Sequence, residues 1–295
     1  MPNSMTSGLL LLGTLALASF GTPALARDLP KTPDELISTV SQAIAARDMA
    51  VFEELDLPMP NGVCDAYVAR PAEDGPHPPV LMIMDAIGLR PRIREMAERL
   101  ADDGYVVLAP NVYYRAGRQP LIDPSFLSAE RGEERHTIIS RLLASLTREH
   151  WEADGPAYLE HVQGLDDVAD DDVRVVGYCM GGGLALRLAA QCPDDVSAIC
   201  GFHAGRLVTD GPESPHHVLP DVEARIYFGF ADQDPSMTRS QIERLRLAAE
   251  EADCDYEGEI YPGAAHGFTM SDLPAYDERA TARHWEALLQ VFDEA

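Results

Sequence analysis

The sequence predicts an α/β fold: a doubly wound, mostly parallel sheet with an antiparallel hairpin at its N-terminal edge. Three observations predict it. Short continuous apolar runs such as Val80-Leu81-Met82-Ile83-Met84 and Val106-Val107-Leu108-Ala109 have the character of strands buried on both faces. These runs alternate with amphipathic helical stretches, the order that builds a parallel sheet covered by helices. Ahead of them, two stretches of alternating character flank Pro58-Met59-Pro60-Asn61-Gly62, a strong turn signal.

In chain order, residues 1–26 are read as a signal peptide and set apart from the fold. An apolar run over 8–20 is too short to span a bilayer, and Ala24-Leu25-Ala26 has the small-x-small form of a cleavage site, although no Lys or Arg precedes the run. The expectation is export to the periplasm or the extracellular space, with cytoplasmic residence if this segment is not a signal peptide. Residues 27–295 are expected to form one domain, since no repeat, linker or low-complexity block divides them. Thr32 as N-cap, Pro33 at the first helical position and Glu35 completing a capping box open a helix over 33–50. Strands over 51–57 and 63–70 form the edge hairpin. A buried strand over 79–84, a helix over 90–103 with Met96, Leu100 and Ala101 inward, and a strand over 105–109 follow. Helical residues 130–163 are expected to break near Asp154-Gly155-Pro156. A strand over 173–178, a helix over 182–191, strands over 198–203 and 224–230, a helix over 239–252, a strand over 256–261 and a helix over 277–292 complete the chain.

Composition narrows the function. With 49 acidic residues against 23 basic ones and a net charge of -26, the chain has no surplus positive charge for a nucleic acid or an anionic membrane. A hydrophobic fraction of 46% beside 24% charged residues is that of a packed soluble domain. The five cysteines, at 64, 179, 192, 200 and 254, include no Cys-x-x-Cys pair, and the adjacent His216 and His217 make poor metal geometry, so no metal or cofactor is implied. The oligomeric state is left open.

The segment that carries chemistry is Val176-Gly177-Tyr178-Cys179-Met180-Gly181-Gly182, where a buried strand runs through Gly-x-Cys-x-Gly into a helix. This is the strand-turn-helix context of a nucleophile elbow, with glycines where any side chain would clash. Cys179 would sit at a helix N-terminus, whose dipole favours an anion and whose unpaired N–H groups point toward an incoming oxyanion. An elbow nucleophile on such a sheet takes an acid after a later strand and a histidine after the last one. Here Ala231-Asp232-Gln233-Asp234-Pro235 and Ala264-Ala265-His266-Gly267 lie at those two strand ends. His266 would take or hold the thiol proton, and an aspartate would orient it. Asp234 has the usual spacing to the next helix and is preferred, with Asp232 as the alternative.

Gly177-Tyr178-Cys179-Met180-Gly181-Gly182 together with Asp234 and His266 resembles the dienelactone hydrolase family of the α/β-hydrolase fold, over about residues 62–292. Met84-Asp85-Ala86-Ile87-Gly88-Leu89-Arg90, Gly104 to Pro110 and Tyr113-Tyr114-Arg115 are similar too. The resemblance implies hydrolysis of a lactone or small carboxylic ester through an acyl-cysteine, with the N–H groups of Met180 and Ala86 as oxyanion hole. It further implies that Asp85 stands where a family acid, typically Glu, contacts the resting thiol. Of the two arginines that hold a substrate carboxylate in the family, Arg115 matches one, and Met270 occupies the position of the other. Tyr114, Arg115 and His203, which follows the strand after the elbow helix, are thus candidates for substrate binding. Arg115 has an ordinary ion pair, and His203 a local backbone contact, as the competing reading.

Two other classes of function compete. Amidotransferase-like or stress-protein-like chains also place cysteine at an elbow, but they pair it with His-x-Glu, and here the sequence is His266-Gly267-Phe268. A ligand binder or a redox sensor built on Cys179 has no need of the complete Cys, Asp and His set.

Overall fold

A computed structural model describes residues 49–127 and 132–295. The segment over 1–26 and all but the last two residues of the helix expected over 33–50 lie outside that range, as do residues 128–131.

Eight strands form one sheet in the order β1-β2-β4-β3-β5-β6-β7-β8. Strands β1 (Val51–Met59) and β2 (Gly62–Arg70) make the expected antiparallel hairpin, and β2 runs antiparallel to β4 (Val106–Pro110). Pro58 is tolerated in β1 because that strand is the sheet edge, where a missing N–H breaks no ladder. From β4 the sheet is parallel through β3 (Pro79–Ile83), β5 (Val173–Tyr178), β6 (Val196–Phe202), β7 (Arg225–Gln233) and β8 (Tyr256–Ala265). Every residue of β3, β4 and β5 is buried, which is why their sequences are continuous apolar runs.

The helices among the described residues are α1 (Pro91–Asp102), α2 (Gly132–Ser145), α3 (Arg148–Gln163), α4 (Met180–Gln191), α5 (Arg239–Glu251) and α6 (Glu278–Glu294). Helix α1 buries Met96, Leu100 and Ala101, as its periodicity requires. Thr238 and Gln241 cap α5 reciprocally, and Asp277 caps α6 through the Ala280 N–H.

One expectation fails. The chain does not break at Asp154-Gly155-Pro156; these residues lie inside α3, and the break falls at Leu146-Thr147, with Thr147 as N-cap accepting from the His150 N–H. Tertiary partners override the turn signal. Pro156 cannot bond the carbonyl four residues back, but the Gln191 amide donates to that Glu152 oxygen at 2.7 Å. Gly155 is where α3 meets α4, since a Cβ there would stand 2.9 Å from Leu188 Cδ1. Asp154 is buried under two side-chain partners.

Candidate active site

The parallel register brings the chemistry together at the C-terminal ends of the strands. Ile83 of β3 stands opposite Gly177 of β5, so Met84 to Ala86 leave one strand at the level where Tyr178 to Met180 leave its neighbour. At the other side Gln233 of β7 is opposite Ala265 of β8, so Asp234 and His266 emerge as a pair. The loop after β8 then runs back over the sheet, putting the His266 ring 5.3 Å from that of His203 at the end of β6.

The elbow is enforced by its glycines. A Cβ on Gly177 would lie 2.2 Å from Gly181 O, and one on Gly181 would lie 2.6 Å from Ile83 O. Between them Cys179 takes a left-handed backbone, φ 56°, rare for a residue with a side chain and costing of order 1–3 kcal/mol, typical of strain held at a site. The strain leaves the thiol part-exposed at the N-terminus of α4.

His266 Nε2 lies 3.0 Å from Cys179 Sγ, and its Nδ1–H donates to Asp234 Oδ2 at 2.6 Å. Burial disfavours charge on this ring, but hydrogen bonds to Asp234 and Cys179 and the charges of both outweigh it and raise the His266 pKa to about 10. Burial would also raise Asp234, yet the hydrogen bonds from His266 and Ser236 hold it below the usual carboxylate range. Asp232 is elsewhere: it pairs with Arg239 and accepts from the Gly263 N–H. Of the two aspartates, Asp234 is therefore the one that orients the histidine.

Neither the Met180 nor the Ala86 N–H has a hydrogen-bond partner among the described residues. For Met180, the first helical residue, no intrahelical partner exists. For Ala86 the turn around it is tied by Gly88 N to Asp85 O at 3.1 Å and Ile87 N to Asp85 Oδ1 at 3.0 Å, leaving its own N–H free. Two free donors beside an elbow cysteine can receive an oxyanion.

Four other expected residues are engaged differently. Asp85 makes no hydrogen bond to Cys179; its carboxylate is buried in a bidentate pair with Arg90, at 2.8 and 2.9 Å. Arg115 donates through both terminal nitrogens to Asp154, and the Tyr114 hydroxyl donates to the same carboxylate at 2.9 Å. The competing reading of Arg115 as one half of an ion pair therefore describes its side chain: the end-on edge of its guanidinium is already taken by Asp154. His203 is 1% exposed and so does not line the mouth. Its Nε2 meets Thr269 Oγ1 at 2.8 Å, its Nδ1 has no partner among the described residues, and burial followed by the neighbouring His266 keeps its pKa well below the histidine range. Met270 is fully buried. His216 and His217 bond Ser214 Oγ and Pro212 O.

Sequence reading missed Ser236, whose N–H and hydroxyl both donate to Asp234 Oδ1, at 2.8 and 2.7 Å. The Asp-x-Ser spacing, an Asx-turn signature, was its available signal. It also missed Tyr113, whose hydroxyl donates to Met180 Sδ at 3.0 Å and whose pKa is raised by burial and then by the Cys179 charge. Nothing in the local sequence marks that contact.

An elbow on a central strand of a mostly parallel sheet, with a histidine and an aspartate on later strand ends, is the arrangement of the α/β-hydrolase fold. Comparison with known proteins gives the family. The Dienelactone hydrolase family matches residues 64–295, and the chain belongs to it. A Salmonella typhi protein named carboxymethylenebutenolidase is 30% identical over 235 residues, covering 77% of this chain and 81% of the relative. One of that name from Escherichia coli is 29% identical over 265 residues, 87% of this chain and 91% of the relative. Among solved structures, a dienelactone hydrolase from Klebsiella pneumoniae superposes with TM-score 0.74 at 23% identity, covering 84% of this chain and 100% of that one.

Proposed function

We propose that the chain hydrolyses a lactone or small carboxylic ester through an acyl-cysteine intermediate, with Cys179 as nucleophile, His266 as acid and base, and Asp234 as its orienting carboxylate. The observation that carries this reading is the continuous line Asp234–His266–Cys179, at 2.6 and 3.0 Å, ending beside two unpaired N–H groups. In that reading the Cys179 sulfur attacks the acyl carbon while the developing oxyanion is received by the Met180 and Ala86 N–H groups. The proton held on His266 passes to the leaving alkoxide, which for a lactone stays tethered to the acyl group. Water then attacks the thioester, His266 accepts its proton, and the carboxylic acid forms as the thiolate is expelled beside the protonated histidine, which restores the starting pair.

Arg115 bound to Asp154 and Met270 in place of a second arginine favour an uncharged substrate over a carboxylated one. We also propose export, with residues 1–26 removed. Mass spectrometry of the protein recovered outside the cytoplasm should give a chain starting at Arg27; a chain retaining Met1 would rule that out. The test of the function is turnover of p-nitrophenyl acetate and of dienelactone by wild type, Cys179→Ala and His266→Ala. Turnover in wild type that is abolished by Cys179→Ala supports the mechanism, and full activity in Cys179→Ala removes it.

A further inference from the structure

The guanidinium of Arg90 has five N–H donors, and each has an acceptor on a segment that carries part of the site. Nη1 donates to Asp85 Oδ1 at 2.8 Å and to Gly88 O at 3.1 Å, and Nη2 to Asp85 Oδ2 at 2.9 Å. Nη2 and Nε donate to the two carboxylate oxygens of Asp272, at 3.3 and 2.5 Å. The side chain is 5% exposed, Asp85 likewise, and Asp272 25%. Arg90 can reach back this way because it is the extended residue just before Pro91 opens α1, and it does not cap that helix with its side chain. Two residues on, Arg92 makes a second strap, donating to Thr269 O at 2.7 and 3.2 Å.

The Arg92 strap ties the first turn of α1 to the loop beyond β8, whereas the Arg90 clasp joins two segments of the site. One is the turn 85–88, which holds the free Ala86 N–H; the other is the loop beyond β8, which holds His266 and then Thr269 and Asp272. We infer that Arg90 is a positioning residue for the proposed hydrolysis: clasped between Asp85 and Asp272, it keeps the Ala86 donor and the His266 loop in register across Cys179. This rests on the ester-hydrolysis reading and assigns Asp85 a role in that reading, as the carboxylate that fixes the donor turn rather than one that meets the thiol. The physical reason is the cost of an unpaired buried charge. Without Arg90, the Asp85 carboxylate would be left in a dry site and would move toward water, carrying the adjoining Ala86 N–H with it. A charge-bearing fork is needed because the five contacts of Arg90 include a bidentate pair to each carboxylate, and a lysine ammonium has three donors on a single atom.

The test is kcat and KM for p-nitrophenyl acetate in wild type, Arg90→Gln, Arg90→Lys and Asp272→Asn, each normalised to the fraction of Cys179 that iodoacetamide alkylates, read by peptide mass spectrometry. Alkylation needs the sulfur and its histidine but no oxyanion hole, so it separates displacement of the donor from collapse of the site. Expected for Arg90→Gln is a fall in kcat of about 10- to 100-fold per alkylatable site, below the loss of a whole oxyanion donor, with KM within about threefold and the alkylation rate within about twofold. Arg90→Lys should recover part of the loss. If Arg90→Gln does not fold, Asp272→Asn carries the test, because it keeps the buried Asp85–Arg90 pair; a drop in kcat of about threefold is then expected. Unchanged kcat per site in every folded variant overturns the inference, as does a fall in alkylation rate equal to the fall in kcat. A wild type with no turnover overturns both the inference and the function it rests on, whereas an active wild type with unaffected variants overturns the clamp alone.

Discussion

Two histidine rings 5.3 Å apart, His266 at the end of β8 and His203 at the end of β6, have opposite electrostatic fates. Both are disfavoured as cations by burial, yet His266 is raised to about 10 and His203 is pushed well below its ordinary value. The difference lies in their partners. His266 has Asp234 on one nitrogen and Cys179 on the other, while His203 has a threonine hydroxyl on one and nothing on the other among the described residues. Opposite charge within hydrogen-bond reach overrides desolvation, and a neutral partner does not. Position near the chemistry is therefore a poor guide to which of two titratable groups takes part in it.

The sharpest way to break that comparison is to remove each ring. His266→Ala should lower kcat/KM for p-nitrophenyl acetate by about 10³-fold, while His203→Gln should cost less than about tenfold. Equal losses would mean that the rings act as one unit. The same contrast repeats in the two aspartates. Asp234→Asn should cost about 10²-fold in kcat, and Asp232→Asn, which disturbs the Arg239 pair and the Gly263 contact but not His266, less than about twofold. Next in size is the titration itself. In wild type the His266 ring should stay protonated through neutral pH by NMR, Cys179→Ala should lower its pKa by deleting one raising partner, and His203 should remain neutral well into acid.

Linkage gives those shifts a stability signature. A histidine raised in the folded state contributes stability that is complete below its unfolded pKa, about 6.5, and is lost as pH rises toward about 10. A histidine lowered in the folded state acts on the other limb, because below about 6.5 the unfolded chain gains a proton that the fold refuses. Thermal melts should thus show His266→Asn flattening the alkaline limb and His203→Gln flattening the acid one; the reverse assignment would contradict the pairing described here. The smallest expected effect concerns the surface. At a net charge of -26, turnover of a carboxylated lactone should rise about threefold between low and high salt, with a neutral ester nearly unaffected.

Much of this was legible in the sequence, for local reasons. Buried strands announce themselves by continuous apolar residues, and the elbow by glycines that no other residue can replace, so the α/β sheet and the positions of Cys179, Asp234 and His266 at its strand ends follow from residue order alone. What could not be read depends on partners distant in sequence. Asp154-Gly155-Pro156 carries every local mark of a turn, and only Gln191, Leu188, Tyr114 and Arg115 make it helix. Arg115 has the form of a substrate clamp until Asp154, 39 residues away, is seen to hold it. Asp85 has the form of an acid beside the thiol until Arg90 and Asp272 close around it. Charged residues are the hardest to assign, since their role is set by whichever opposite charge the fold delivers.

The proline inside α3 has a mechanical consequence. By freeing the Glu152 carbonyl it creates the socket into which Gln191, the last residue of α4, is plugged. Helix α4 is 12 residues, a rod of about 18 Å, and its other end is wedged at Gly181 against the end of β3. A rod tied at its far end as well as wedged at its near one gives the nucleophile's pivot a second point of support, far behind it. Pro156→Ala would restore a competing N–H donor to that carbonyl, loosening the distant end of the lever while leaving every atom of the elbow in place.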